Sequence, residues 1–174
     1  NGMSTGDTVY LKLIKAGDVK QELGTLSNHG FKLKISSNAD KATINMGVGI
    51  DLAGDVEFEN VTLAWISNKW PNFTLGSHNF SIGAGVDYVA AAFNNIVLAT
   101  TDGAQNENIN LYFESLPTAF RLGSMYKNPT FKNINITLNG AGINKNFTFG
   151  AQENGYTTTY DGVINFNIKK TGTF

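Results

Sequence analysis

The stretch Phe58-Glu59-Asn60-Val61-Thr62-Leu63 recurs as Phe93-Asn94-Asn95-Ile96-Val97-Leu98 and as Phe131-Lys132-Asn133-Ile134-Asn135-Ile136, at spacings of 35 and 38 residues. The shared pattern is Phe-x-Asn-(Val/Ile)-x-(Leu/Ile), and a fixed internal period decides an architecture before local propensity does. A second pattern follows it: Asn72-Phe73-Thr74-Leu75, Asn108-Ile109-Asn110-Leu111 and Asn146-Phe147-Thr148-Phe149, at spacings of 36 and 38. A third is Ile44-Asn45-Met46-Gly47-Val48-Gly49-Ile50-Asp51 against Phe80-Ser81-Ile82-Gly83-Ala84-Gly85-Val86-Asp87, offset by 36. Each repeat therefore holds three short segments in one order.

Within the segments apolar and polar residues alternate, the period of a strand with one buried face. The connecting stretches Asn139-Gly140-Ala141-Gly142, Asp102-Gly103-Ala104 and Glu153-Asn154-Gly155 carry turn chemistry. These features predict an all-β chain: a right-handed parallel β-helix of about four coils, three short strands per coil, each strand pairing with its counterpart one coil away. An antiparallel β-sandwich uses the same short strands and is the alternative. A sandwich has no reason to reuse one pattern at one spacing, whereas a solenoid stacks equivalent positions. Residues 31–168 hold the repeats and residues 1–30 read as an irregular N-terminal coil or cap. The whole of 1–174 reads as one domain, a segment of a longer chain with neighbouring domains.

The composition agrees. The chain of 174 residues has 22 Asn and 19 Gly, the residues that enter left-handed backbone most cheaply, so many tight bends are implied. In Phe-x-Asn-Val, strict alternation would turn Val61 outward, so the parity must shift at the Asn, at a corner of the coil. Asn60, Asn95 and Asn133 are then expected above one another with their amides bonded along the stack, as between in-register parallel strands. Phe58, Phe93 and Phe131 are expected to form a matching aromatic stack in the core.

Cys is absent, which excludes disulfides, thiolate metal sites and a cysteine nucleophile. The 13 basic and 14 acidic residues nearly cancel, so no strong field favours nucleic acid. No apolar run is long enough to span a bilayer as a helix.

The runs Asp55-Val56-Glu57-Phe58-Glu59-Asn60-Val61-Thr62-Leu63 and Asn79-Phe80-Ser81-Ile82-Gly83-Ala84-Gly85-Val86 resemble coils of bacterial adhesin-like surface proteins with a pectate-lyase-type right-handed β-helix. The resemblance spans roughly Phe31 to Ile168 and implies an extracellular or cell-surface setting. It carries no catalytic residues across.

Asp55, Glu57 and Glu59 alternate onto one outward face; no catalytic residue is expected, and these three are the catalytic set only under an alternative, enzymatic reading. Three such carboxylates can hold calcium, as polysaccharide lyases of this fold do, or supply a glycosidase pair. The plainer reading is a solvated face that discourages edge pairing. No other cofactor or metal is indicated: Gly47-Val48-Gly49 and Gly83-Ala84-Gly85 lack the third Gly and the helix of a dinucleotide loop, and His29 and His78 have no metal-spaced partner. Asn60, Asn72, Asn79, Asn135 and Asn146 satisfy the glycosylation pattern, which an Asn-rich alternating chain produces for free. Trp65, Trp70, Tyr112 and Tyr126 are the candidate ligand-binding residues, since aromatic rings on rigid loops stack on sugars or dock protein. The function expected is a non-catalytic surface or adhesin-type β-helix that meets a polysaccharide or a host-surface protein through those aromatics. The alternative is a polysaccharide lyase or glycoside hydrolase with an acidic, calcium-dependent site.

Overall fold

A computed structural model describes residues 6–13, 17–19, 31–38, 40–45, 49–52, 54–65, 72–90, 95–99, 105–114, 119–123, 127–139, 147–150 and 153–168. In chain order the strands are β1 (Thr8–Leu13), β2 (Gly17–Val19), β3 (Lys32–Ser37), β4 (Ala42–Asn45), β5 (Gly49–Asp51), β6 (Val56–Glu59), β7 (Thr62–Trp65) and β8 (Asn72–Thr74). They continue as β9 (Phe80–Ile82), β10 (Asp87–Ala90), β11 (Asn95–Ala99), β12 (Gln105–Phe113), β13 (Ala119–Leu122), β14 (Thr130–Leu138), β15 (Phe147–Phe149), β16 (Thr159–Tyr160) and β17 (Ile164–Ile168).

These strands stack into three sheets. The first runs β1-β3-β6-β9-β12-β14-β16 with β17 also on β14, the second β10-β7-β4-β2, and the third β15-β13-β11-β8-β5. Among the described residues every pairing is parallel, so the chain is an all-β parallel solenoid and not the antiparallel sandwich. Three consecutive coils, β3 to β5, β6 to β8 and β9 to β11, place a described strand in all three sheets, slightly fewer than expected. Residues 8–13 and 17–19 fall in the stretch read as irregular, yet β1 and β2 add a rung to the first and second sheets.

The coil is shorter than the sequence pattern implied. Down the first sheet, Val9, Leu33, Val56, Phe80, Ile109, Ile134 and Ile164 lie in register at steps of 24, 23, 24, 29, 25 and 30 residues. The spacings of 35 and 38 therefore do not mark equivalent positions. Phe58 to Leu63 straddles the corner between the first and second sheets, Asn95 to Leu98 lies in the third sheet on β11, and Asn133 to Ile136 lies within the first sheet on β14. The motif recurs because alternating strand residues beside an Asn are written alike wherever they fall in the coil.

The alternation is realised as read. In β6, Val56 and Phe58 are buried while Glu57 and Glu59 are not, and β9 repeats this with Phe80 and Ile82 about Ser81. Phe58, Phe73, Phe80, Phe113, Phe120 and Phe131 are fully enclosed. Each such ring is worth roughly 2–3 kcal/mol in area removed from water. The ring of Phe58 meets Phe73 and Phe80, both with centroids 6.3 Å away, and that of Phe131 stacks on Tyr160 at 5.9 Å. The aromatic core is thus built across sheets and between neighbouring coils. Phe58 and Phe131 do not share a column, since Phe58 is in register with Ile82, Leu111 and Ile136 and Phe131 with Asn106; Phe93, the third member of the expected stack, lies outside the described residues.

Two devices shift the parity. Asn60 adopts φ 51°, the one non-glycine residue with positive φ among those described, so Phe58, Val61 and Leu63 all point inward. Its Nδ2 donates to Ser37 O at 3.1 Å and Asn38 O at 2.6 Å one coil away, and its N–H to Ala84 O at 2.9 Å on the other side. Ser37, Asn60 and the Gly83-Ala84-Gly85 turn are therefore the stacked corner. In β12 and β14 the shift is a mid-strand kink: the buried residues run Asn106, Ile109, Leu111 and Phe131, Ile134, Ile136, a step of three and then of two. Asn108 and Asn133 sit at that kink in register with each other.

Candidate functional site

The outward face of the first sheet gathers the candidate carboxylates and Tyr112. One in-register column, reading Tyr10, Lys34, Glu57, Ser81, Asn110, Asn135 and Asn165, runs the whole length of that sheet. Its chemistry changes along the way, from ion pairs to amides.

The charged part holds the candidate carboxylates. Glu57 accepts from Lys32 and from Lys34 at 3.0 Å, and Lys34 also reaches Glu59 at 2.5 Å. Hydrogen bonds to Glu59 and then to Glu57 push the Lys34 ammonium above its ordinary value. Partial burial opposes ionisation of Glu57, but the bonds from Lys32 and Lys34 outweigh it and hold the carboxyl below its ordinary value. Asp55 accepts from the backbone N–H and from Nδ2 of Asn79, both at 2.9 Å. β3 thus supplies the lysines that neutralise β6, one coil apart. A general acid needs a raised carboxyl pKa, and Glu57 has the reverse. Among the described residues no group of three or more His, Asp or Glu side chains is placed to hold a metal ion. Arg121 lies in β13 of the third sheet, where its Nη1 donates to Gly150 O at 3.3 Å.

The uncharged part is an amide ladder. Asn165 Nδ2 donates to Asn135 Oδ1 at 2.8 Å, Asn135 Nδ2 to Asn110 Oδ1 at 2.9 Å, and Asn110 Nδ2 to Ser81 Oγ at 3.4 Å. Ladders of this kind form where identical amides repeat at the spacing of paired strands. The expected ladder of Asn60, Asn95 and Asn133 is not built: Asn60 is at a corner, Asn95 pairs with Ala119 in the third sheet, and Asn133 pairs with Asn108. The ladder that does form was open to detection as Asn at steps of 25 and 30, a signal hidden by the longer spacing of the Phe motif.

Beside the ladder lies a second outward column, Tyr112, Thr137 and Asn167. The Tyr112 hydroxyl donates to Glu114 Oε1 at 3.4 Å, and the fringe of burial there together with Glu114 raises the phenol pKa. On the other side Lys132 pairs with Glu107 at 2.6 Å. Tyr112 is thus the candidate aromatic that the structure brings to this face. Trp70 and Tyr126 lie outside the described residues, as does the Trp65 side chain; the Trp65 backbone ends β7 in the second sheet. Of the glycosylation triplets, Asn60, Asn79 and Asn135 have their side-chain nitrogens donating to neighbours.

The fold and this face define a parallel β-solenoid with a polar outer sheet. No protein-family model, curated protein or solved structure matches the chain. Among the described residues no helix is long and apolar enough to cross a membrane.

Proposed function

We propose that this protein is a non-catalytic surface solenoid of adhesin type, extracellular, that holds a glycan or a glycan-bearing partner on its exterior. The observation that supports this reading is the position of Tyr112: a partly exposed ring on the long first sheet, flanked by the side chains of Asn110, Thr137 and Asn135. An aromatic ring beside fixed hydrogen-bonding groups on a stiff sheet suits a sugar, whose ring face is apolar and whose rim is hydroxylated. The engaged state of Asp55, Glu57 and Glu59 supports binding over hydrolysis or elimination. A glycan-array screen of the wild-type chain and Tyr112→Ala tests the reading. Binding that falls in the variant, with no depolymerisation of the bound polymer, is the expected result. An array without binding, or release of oligosaccharides from the polymer, would overturn it.

A further inference from the structure

Resting on the glycan reading, we infer that the free halves of the Asn110, Asn135 and Asn165 amides bind a neutral, hydroxyl-rich polysaccharide laid along the solenoid axis.

A side-chain amide has two N–H donors and two acceptor lone pairs. Each of the three amides spends one N–H on the next rung, and Asn110 and Asn135 each spend one lone pair in accepting. One N–H and at least one lone pair therefore remain on each, on a column where Asn110 and Asn165 are exposed and Asn135 is partly so. An adjacent donor and acceptor on one planar group match the two hydroxyls of a vicinal diol, one accepting and the other donating. The bonds along the ladder already hold the amides in place, so little side-chain freedom is lost when a ligand arrives.

Direction follows from spacing. Along the axis the amides repeat at the strand separation, about 4.8 Å, whereas outward residues along one strand are about 6.6 Å apart. The first figure is comparable with the advance per sugar of an extended β-linked pyranose chain; because successive β-1,4-linked sugars turn over, one edge of that chain offers a vicinal diol to every second rung and a ring oxygen with its hydroxymethyl group to the rung between. Tyr112 then flanks the same chain, where its ring can stack on a pyranose face.

Charge selects the class. From Ser81 to Asn165 the column carries no ionisable group, and the neighbouring Glu107 and Lys132 are paired with each other. Among the described residues of this column, a uronate, sulfate or phosphate would give up hydration and meet no unpaired cation. A neutral polymer pays no such penalty.

The test is calorimetry with two probes, a soluble neutral β-1,4-linked glucan oligosaccharide and oligogalacturonate, on the wild-type chain, Asn135→Ala, Asn165→Ala and Tyr112→Ala. The neutral probe is expected to bind at least about tenfold tighter than the acidic one, and Asn135→Ala to weaken it about tenfold. Asn165→Ala removes only the terminal ladder bond and Tyr112→Ala removes none, so both keep the fold and are expected to weaken binding as well. Glucan binding that survives Asn135→Ala and Asn165→Ala unchanged overturns the ladder while leaving the glycan reading intact. Preference for the acidic probe overturns the neutral class. Failure of the wild-type chain to bind any glycan on the array removes the glycan reading itself.

Discussion

Asn135 donates its side-chain amide to Asn110 at 2.9 Å from the next coil of the first sheet, and it accepts from Asn165 at 2.8 Å on its other side. It is the middle member of the ladder, so its loss breaks two bonds at once. Asn135→Ala is expected to lower stability by about 1–2 kcal/mol, since an exposed side-chain bond contributes roughly 0.5–1.5 kcal/mol net. Asn165→Ala breaks one and should lower it by about half as much. Urea unfolding of the two variants beside the wild-type chain reads the difference.

The left-handed corner at Asn60 separates two costs. Asn60→Gly loses the bonds to Ser37 O and Asn38 O but suits φ 51°. Asn60→Ala loses the same bonds and adds about 1–2 kcal/mol of backbone strain. The alanine variant is expected to melt below the glycine variant, and equal melting temperatures would refute the corner as described.

Two glycines are held by neighbouring backbone. A Cβ on Gly162 would meet Lys132 O at 2.6 Å, and one on Gly123 would run into Gly150 O. Neither contact can yield without moving a coil apart, so Gly162→Ala and Gly123→Ala are expected to fold poorly. Gly155 has φ 87° but nothing within 4 Å of its Cβ, so Gly155→Ala should cost only about 1 kcal/mol of strain. Soluble yield and thermal melts of the three distinguish a steric requirement from a conformational one.

The pH dependence follows from Lys34 and Glu57. The Glu57 pKa is lowered in the fold, so its contribution is present above the ordinary value of 4.5 and is lost as pH falls through the folded value. The Lys34 pKa is raised, so its contribution is present below 10.5 and is lost as pH rises beyond it. Glu57→Gln removes the acid-side loss and weakens the alkaline one. Salt is expected to reduce both, because the pairs are partly exposed. Melting temperature against pH, at low and high ionic strength, checks each limb.

Much of the fold was legible because β6 and β9 state their inward and outward faces residue by residue, and because Asn60 sits where the parity of its own strand fails. The coil length was not legible. Phe58, Phe93 and Phe131 share a local grammar, yet register in a solenoid is set by which strand lies against which, and that depends on connections whose lengths vary from coil to coil. The same error in period put the expected ladder on Asn60, Asn95 and Asn133, whereas the amides that bond to one another are Asn110, Asn135 and Asn165. The acidic face was legible as Asp55, Glu57 and Glu59. Its partners Lys32 and Lys34 were visible too, but only a coil of 23 residues places Lys34 against Glu57.

The coil joining Ile134 to Ile164 is seven residues longer than the one joining Leu33 to Val56, yet the same columns continue through both. Added length is absorbed between strands, so insertions or deletions there leave the register of every other rung untouched. Such a scaffold can vary its connecting segments by lengthening and shortening, a route to new surfaces that does not require the core to be redesigned.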